Sequence, residues 1–140
     1  MADLVQTPAS VLCSDISQAK RGTGGATIVA GNALYSDAAD SNKLKLADSN
    51  SGAVGAAIRT FAGFALNGGD AGQPLQYVYA DDDFTPGGTL VVGEAYYVSN
   101  TPGKICPKAD LASGSTAIFV GIAKSATKLR LAPAAGGVTP

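Results

Sequence analysis

Short apolar runs alternate with clusters of Gly, Ser, Thr, Asn and Asp along most of this chain. Runs of this length, bounded by residues that favour turns, are typical of β-strands. In LQYVYA, residues 75–80, Leu75 and Tyr77 share one face while Gln76 and Val78 share the other, which is the alternation of a half-buried strand. The pattern predicts strands at 26–29, 33–35, 44–46, 61–66, 75–79, 90–92, 95–98, 117–123 and 128–131.

The two ends of the chain lack this regular pattern. Over VLCSDISQAK, residues 11–20, the apolar positions form only part of a helical stripe, so the segment is either a short helix or an extended arm. The following RGTGGAT has no phosphate-loop spacing, because its basic residues precede the glycines. We predict an N-terminal arm at 1–25, a single β domain at 26–131 and a flexible C-terminal tail at 132–140.

One phrase occurs twice, as FAGFAL at 61–66 and as FVGIAK at 119–124. Three further pairs of blocks match in the same order: AGNALYSD with VGEAYYVS, NKLKLAD with GKICPKAD, and GGDAGQPLQYV with SATKLRLAP. This agreement predicts a weak internal repeat, at 30–79 and 92–131. Its central residues are Phe61, Gly63, Phe64, Phe119, Gly121 and Ile122.

Both copies of the phrase place bulky residues on both faces of the predicted strand. A strand that is apolar on both faces is usually central and covered on each side. Gly63 and Gly121, which lie among large neighbours, indicate a bulge or the close approach of another backbone. A ligand pocket at these glycines is the alternative interpretation.

Charged residues are scarce in this chain. They make up 15% of it, well below the roughly 25% of ordinary soluble domains, and the net charge is −1. Such a surface has little electrostatic protection against association, so we expect part of it to be covered by a partner.

The side chains needed for most chemistry are also scarce. The chain has no His, and Glu94 is its one Glu, which removes imidazole bases and imidazole metal sites. Its ten Lys and Arg are dispersed, and no apolar run approaches the roughly 20 residues of a membrane span, so we expect neither nucleic-acid nor membrane binding. The N-terminus lacks the pattern of a signal peptide, which predicts a protein made without secretion.

Two further features are candidate sites. Cys13 and Cys106 lie far apart, and we interpret them as buried free thiols, with a disulfide as the alternative. The acidic run at Asp81, Asp82 and Asp83 lacks the spacing of a calcium loop, so a solvated loop or an acidic edge that contacts a partner is favoured. We expect no catalytic residue, cofactor or metal.

The matched blocks resemble the capsid decoration proteins, also called cement proteins, of tailed double-stranded DNA phages, and most of all those of short-tailed Bordetella-type phages. The phrases of that family correspond here to Gly31 through Ala65 and again to Gly93 through Ala123. The segment YADDDFTPGGTL between the copies departs from the family's pattern.

The resemblance implies an all-β fold, a small β-sandwich or a jelly-roll-like barrel built from two similar β units. It also implies a virion protein that binds the outer surface of the icosahedral shell across subunits of the phage major capsid protein, stabilises it, and has no enzymatic activity. Such a protein is made in the bacterial host cytoplasm. We expect it to be a homodimer, with a trimer as the alternative.

A recognition module is the alternative function, either on a phage tail fibre or binding carbohydrate. Tyrosine side chains supply stacking surfaces for sugars. The tyrosines available for this role are Tyr35, Tyr77, Tyr79, Tyr96 and Tyr97.

Overall fold

A computed structural model describes residues 3–14, 19–49, 61–111 and 117–131 of the chain. These residues form ten β-strands in two five-stranded antiparallel sheets, which share one hydrophobic core as a small β-sandwich. The predicted all-β fold class is therefore confirmed.

The spatial order of the strands is the same in the two sheets. The first sheet contains, from edge to edge, β1 (Ala19–Thr23), β5 (Pro74–Val78), β4 (Gly63–Ala65), β2 (Ala33–Asp37) and β3 (Lys43–Leu46). The second contains β6 (Asp81–Phe84), β10 (Leu129–Leu131), β9 (Phe119–Ala123), β7 (Ala95–Val98) and β8 (Ile105–Pro107). Single-turn 3₁₀ helices lie at Pro8–Ser10, Ala38–Asp40 and Lys108–Asp110.

Each strand of the first sheet thus has a counterpart five strands later in the chain. The pairing register is also the same: Gly63 lies opposite Leu34, and Gly121 lies opposite Tyr96. The edge strands β1 and β6 precede the blocks that match in sequence, so each structural unit is longer than the repeat visible in the sequence. That the two units arose by duplication stays a prediction.

Most predicted strands are present, some of them shorter than expected, and two predictions are wrong. Residues 90–92 lead into a turn, and residues 26–29 contribute only a bridge between Ile28 and Gly69. The sequence pattern missed β1, β6 and β8. The first two, AKRGT and DDDF, are polar edge strands whose pairing to a neighbour does not depend on apolar alternation.

Two apolar clusters fill the fold. The larger lies between the sheets, where Phe64 of β4 stacks on Phe84 of β6 with ring centroids 5.0 Å apart. The smaller lies on the other face of the first sheet. That sheet curves until its two edges meet. At the junction the Gly25 amide donates to the Leu44 carbonyl at 2.8 Å, and Gly24 forms an isolated β-bridge with Leu44. The members of the smaller cluster are Ile28, Leu34, Leu44, Ala65 and Leu75.

The N-terminal residues lie against the second sheet. The Leu4 amide donates to the carbonyl of Ile105 in β8, and Leu12 bridges Thr85, which follows β6. Leu4 and Val11 are buried in the larger core. Residues 15–18 of the possible helix and the predicted tail at 132–140 fall outside the described residues. The described ends of the 11–20 segment, at 11–14 and 19–20, are not helical.

Gly63 and Gly121 lie where the neighbouring strand approaches closely. A Cβ on Gly63, whose φ is +148°, would lie 2.6 Å from the Val78 carbonyl oxygen. A Cβ on Gly121 would collide with the carbonyl oxygen of Arg130, which occupies the same register position as Val78. The sequence predicted the close approach of another backbone at both glycines. The approaching backbones are those of β5 and β10, which pair with β4 and β9.

The two central strands differ in how they are covered. Every residue of β4 is buried, but Ile122 of β9 is 46% exposed, so the prediction of two-sided cover is wrong for β9. The chain also bulges in β9, because Tyr96 and Tyr97 lie opposite Gly121 and Phe119, and Val120 is the extra residue.

Replacing Gly121 by Ala should destabilise the protein by about 1–3 kcal/mol, because the new methyl group must displace the backbone of β10. The matched control is Gly24→Ala, where the nearest atom to the new Cβ lies 3.6 Å away, an ordinary van der Waals contact. Urea unfolding of both variants measures the effect. Equal stability of Gly121→Ala and the wild type would contradict the close approach.

Candidate partner-binding surfaces

The acidic strand β6 forms one edge of the second sheet and carries a bulge. Leu129 lies opposite Phe84 and Leu131 lies opposite Asp81, so Asp82 and Asp83 together face Arg130. A bulge of this kind adds one residue to a strand and changes the direction of its side chains. It separates the three carboxylates: Asp81 is buried, whereas Asp82 and Asp83 are exposed.

Asp81 fastens the N-terminal residues to the second sheet. Its carboxylate accepts hydrogen bonds from the Ser14 amide at 2.7 Å, from the Ser14 hydroxyl, and from the Asp83 amide at 3.1 Å. Burial by itself would raise the pKa of Asp81, but these hydrogen bonds, with one from Cys13, outweigh it and lower the pKa. The Asp81 carboxylate is therefore buried and hydrogen-bonded within the protein, and we do not expect it to contact a partner.

Asp82 and Asp83 form an exposed charged edge with two basic residues. Lys124 Nζ lies 2.6 Å from Asp83 Oδ1 and donates to the Asp82 carbonyl at 3.1 Å. Arg130 Nε lies 3.9 Å from Asp82 Oδ1. Exposed ion pairs of this kind contribute little to stability, so these four side chains remain available to a partner. Among the described residues no three His, Cys, Asp or Glu side chains gather as metal ligands.

Three exposed apolar side chains lie near the end of β9: Val91 and Val92 in the turn before β7, and Ile122 in β9 itself. The Glu94 amide donates to the Val91 carbonyl at 3.1 Å, which closes a turn over residues 91–94, and Gly93 adopts a φ of +82° there. The Gly93 amide donates to the Ala123 carbonyl, which brings this turn beside Ile122. Val91, Val92 and Ile122 are all exposed. The sequence pattern placed the two valines in a strand and Ile122 on a covered face, so it did not identify this group.

A cleft with a volume of about 490 Å³ lies between the N-terminal residues and the second sheet. Leu4, Val5, Gly88, Tyr96 and Asp110 are among the residues that line it. The Tyr96 hydroxyl accepts a hydrogen bond from the Val91 amide at 3.0 Å and is thereby occupied. The lining combines apolar side chains with polar ones, among them a second carboxylate, Asp3, which accepts a hydrogen bond from the Ser99 hydroxyl.

The tyrosines considered as a sugar-stacking surface are dispersed in the fold. Tyr35 and Tyr96 are buried in the larger core, and Tyr77 packs against the smaller cluster. Tyr97 contacts Phe119 edge to face. Tyr79 packs against Phe61, and Lys20 Nζ lies 5.6 Å from its ring centroid. The structure therefore does not bring these rings together on one surface.

The two cysteines are unbridged. Burial, with the nearby carboxylates of Asp3 and Asp110, raises the pKa of the Cys106 thiol to about 11, although a hydrogen bond with Ser99 acts against this. Cys106 is therefore protonated at neutral pH and a poor nucleophile. Cys13 is only half-buried, so the prediction of two buried thiols is right for Cys106 and wrong for Cys13.

The chain matches no protein-family model and no curated protein. The described part of the chain has no helix with the length and hydropathy needed to cross a lipid bilayer. By its fold, the chain is a small all-β sandwich of two similar five-stranded sheets, with a charged edge and an exposed apolar group on the second sheet.

Replacing Asp81 by Asn should lower the free energy of unfolding by about 1–3 kcal/mol at neutral pH, because a buried carboxylate that accepts several hydrogen bonds is lost. The matched control is Asp82→Asn, an exposed neighbour, which should stay within about 0.5 kcal/mol of the wild type. Thermal or urea unfolding measures both variants.

The stability difference between the wild type and Asp81→Asn should depend on pH. Because the folded pKa of Asp81 lies below the ordinary value of 3.8, the carboxylate stabilises the fold above that value, and this stabilisation is lost as the pH falls through the folded pKa. The stability curves of the wild type and Asp81→Asn should therefore converge in acid. A stability gap that does not change with pH would contradict the role of the ionised carboxylate.

Proposed function

We propose that this protein is a structural virion protein, a capsid decoration or cement protein of a tailed phage. It binds the outer surface of the icosahedral shell across subunits of the major capsid protein and stabilises the shell, without catalysis or a cofactor. The observation that supports this most is the exposure of three large apolar side chains, Val91, Val92 and Ile122, on a compact β module of low charge.

The geometry of the second sheet suits binding to a large protein surface. An apolar group beside a charged edge resembles the centre and rim of a protein interface, where apolar contacts add affinity and rim charges add orientation. In this proposal Val91, Val92 and Ile122 form the centre, and Asp82 and Asp83 lie at the rim.

A symmetric shell multiplies the effect of one such contact. Each bound module spans a joint between capsid subunits, and the same contact repeats at every equivalent joint of the icosahedron. A rigid sandwich loses little conformational entropy on binding, because its strands are already ordered by the shared core. The stabilisation of each joint then adds to the resistance of the whole particle to disruption.

Binding of the purified protein to undecorated shells of its own phage tests the proposal. We expect saturable binding with a fixed number of copies per shell, and a higher temperature of shell disruption once the sites are filled. Electron microscopy counts the copies, and light scattering during heating measures the disruption. Absence of saturable binding would overturn the shell-binding role, and saturation with no gain in heat resistance would overturn the cementing role.

The charged edge offers a residue-level version of this test. The double change Asp82→Asn and Asp83→Asn should weaken shell binding by roughly three- to tenfold, mostly through slower association, as expected for rim charges. Asp70→Asn, an exposed aspartate in the first unit, is the matched control and should bind as the wild type does. Equal weakening by both variants would show a general charge effect instead of a contact at β6.

A further inference from the structure

The cleft between the N-terminal residues and the second sheet has buried apolar walls and an open rim. Leu4 and Tyr96, which line it, are buried members of the larger core. Val5 and Val91, which also line it, are 86% and 61% exposed, so the cleft opens to solvent. Its volume of about 490 Å³ lies in the range of sites that enclose a ligand. The cleft can therefore receive a side chain of a partner and offers an apolar surface for it.

Two half-buried carboxylates, Asp3 and Asp110, lie in the same lining, and no described Lys or Arg belongs to it. Asp3 accepts a hydrogen bond from the Ser99 hydroxyl, and Asp110 ends a 3₁₀ helix. Within the described part of the chain, neither carboxylate forms an ion pair. Burial is the main cause of the raised pKa of Cys106, and the charges of these two carboxylates add to it. The cleft is therefore negatively charged.

Several other acidic residues have a basic neighbour. In the first unit, Lys45 Nζ lies 2.8 Å from Asp37 Oδ2 and 3.0 Å from Asp40 Oδ2. In the second unit, Lys124 pairs with Asp83. A carboxylate that is partly removed from water without a partner is costly, and a cation that binds beside it offsets that cost. The charge of the cleft therefore favours a cationic ligand.

A lysine or arginine side chain matches both the apolar and the charged part of the lining. Each has an apolar stem and a cationic head, and such side chains pack the stem on apolar surface while the head reaches water or an opposite charge. A small inorganic cation would use the carboxylates alone. An acidic or phosphate-bearing ligand would be repelled by them.

Tyr96 supplies a group that recognises the backbone around such a side chain. It is 1% exposed, and its hydroxyl oxygen is occupied as an acceptor by the Val91 amide. Its own O–H proton has no acceptor among the described residues. A buried donor is more stable with an acceptor, and a peptide carbonyl is one. A peptide segment therefore suits the cleft better than a free amine.

We propose that the cleft binds a segment of another protein through a lysine or arginine side chain, whose stem packs on Leu4 and Tyr96 and whose head meets Asp3 and Asp110. Val91 lies both in this lining and in the centre of the proposed shell contact, so a segment bound here enlarges that contact. In that case the segment belongs to the major capsid protein. The inference rests on the proposed function only for this source of the segment.

Synthetic peptides measure the preference of the cleft directly. The probe is an acetylated and amidated pentapeptide with a lysine between two valines. The matched controls carry norleucine, which keeps the stem without the charge, or glutamate at the central position. Chemical-shift changes in NMR spectra of the whole chain measure binding. We expect the lysine peptide to bind about three- to tenfold more tightly than the norleucine peptide, and the glutamate peptide to bind most weakly.

Asp110→Asn tests the carboxylate with little change of shape. It should lower the affinity for the lysine peptide about threefold and leave the affinity for the norleucine peptide unchanged. Asp70→Asn removes the same charge at an exposed position outside the cleft, so it should bind every peptide as the wild type does. Equal thermal midpoints establish that both variants are folded, and the peptide comparison on the wild type needs no variant.

Three results would overturn the inference. The first is equal affinity of the wild type for the lysine and norleucine peptides, or no binding of either. The second is binding of butylamine as tightly as the lysine peptide, since the segment would then contribute nothing. The third is a change of the Tyr96 and Asp110 signals with protein concentration in the absence of peptide, which would identify a second copy as the occupant.

Binding to undecorated shells separates this inference from the proposed function. Asp110→Asn should bind shells about three- to tenfold more weakly than Asp70→Asn. Saturable binding of both variants with equal affinity would overturn the shell protein as the source of the segment and leave the shell-binding role intact. Absence of shell binding by the wild type would overturn the proposed function, and the peptide comparison would then decide the chemistry of the cleft by itself.

Discussion

The fold depends on the packing of the two sheets against each other, in which Phe64 stacks on Phe84. Phe64 belongs to the first sheet and Phe84 to the second, and this packing turns one face of each sheet inward. Because side chains alternate along a strand, the choice of the inward face also determines which residues are left outside. The smaller cluster of the first sheet and the exposed Ile122 of the second are both consequences of it.

The open sides of the two sheets are closed by different parts of the chain. The first sheet curves until Gly24 and Gly25 reach Leu44, which encloses its smaller cluster. The second sheet is closed by the N-terminal residues, which contact β8 through Leu4 and are held near β6 by Asp81. A buried carboxylate is stable there because hydrogen bonds replace the water that burial removes. On the other face of the second sheet, Ile122 and Arg130 are exposed among the described residues.

Some features of the candidate surfaces could be predicted from the sequence, and others could not. The alternation of carboxylates along β6 was foreseeable from strand geometry, but the bulge that turns both Asp82 and Asp83 outward arises from pairing with β10. Nothing local distinguishes Asp81 from its neighbours, since its partner Ser14 lies 67 residues away. The exposure of Val91 and Val92 was missed because a short apolar run before Gly93 has the composition of a strand.

Local patterns along the chain were enough to establish the β class, most of the strands and the matched blocks, because turn residues and apolar alternation act over only a few positions. They also indicated the close backbone approach at Gly63 and Gly121, since only a residue without Cβ fits there. Which face of each unit is buried depends instead on the packing of the two sheets. Two units with the same strand order and register can stack in more than one way, and only contacts between distant residues, such as Phe64 with Phe84, select one of them.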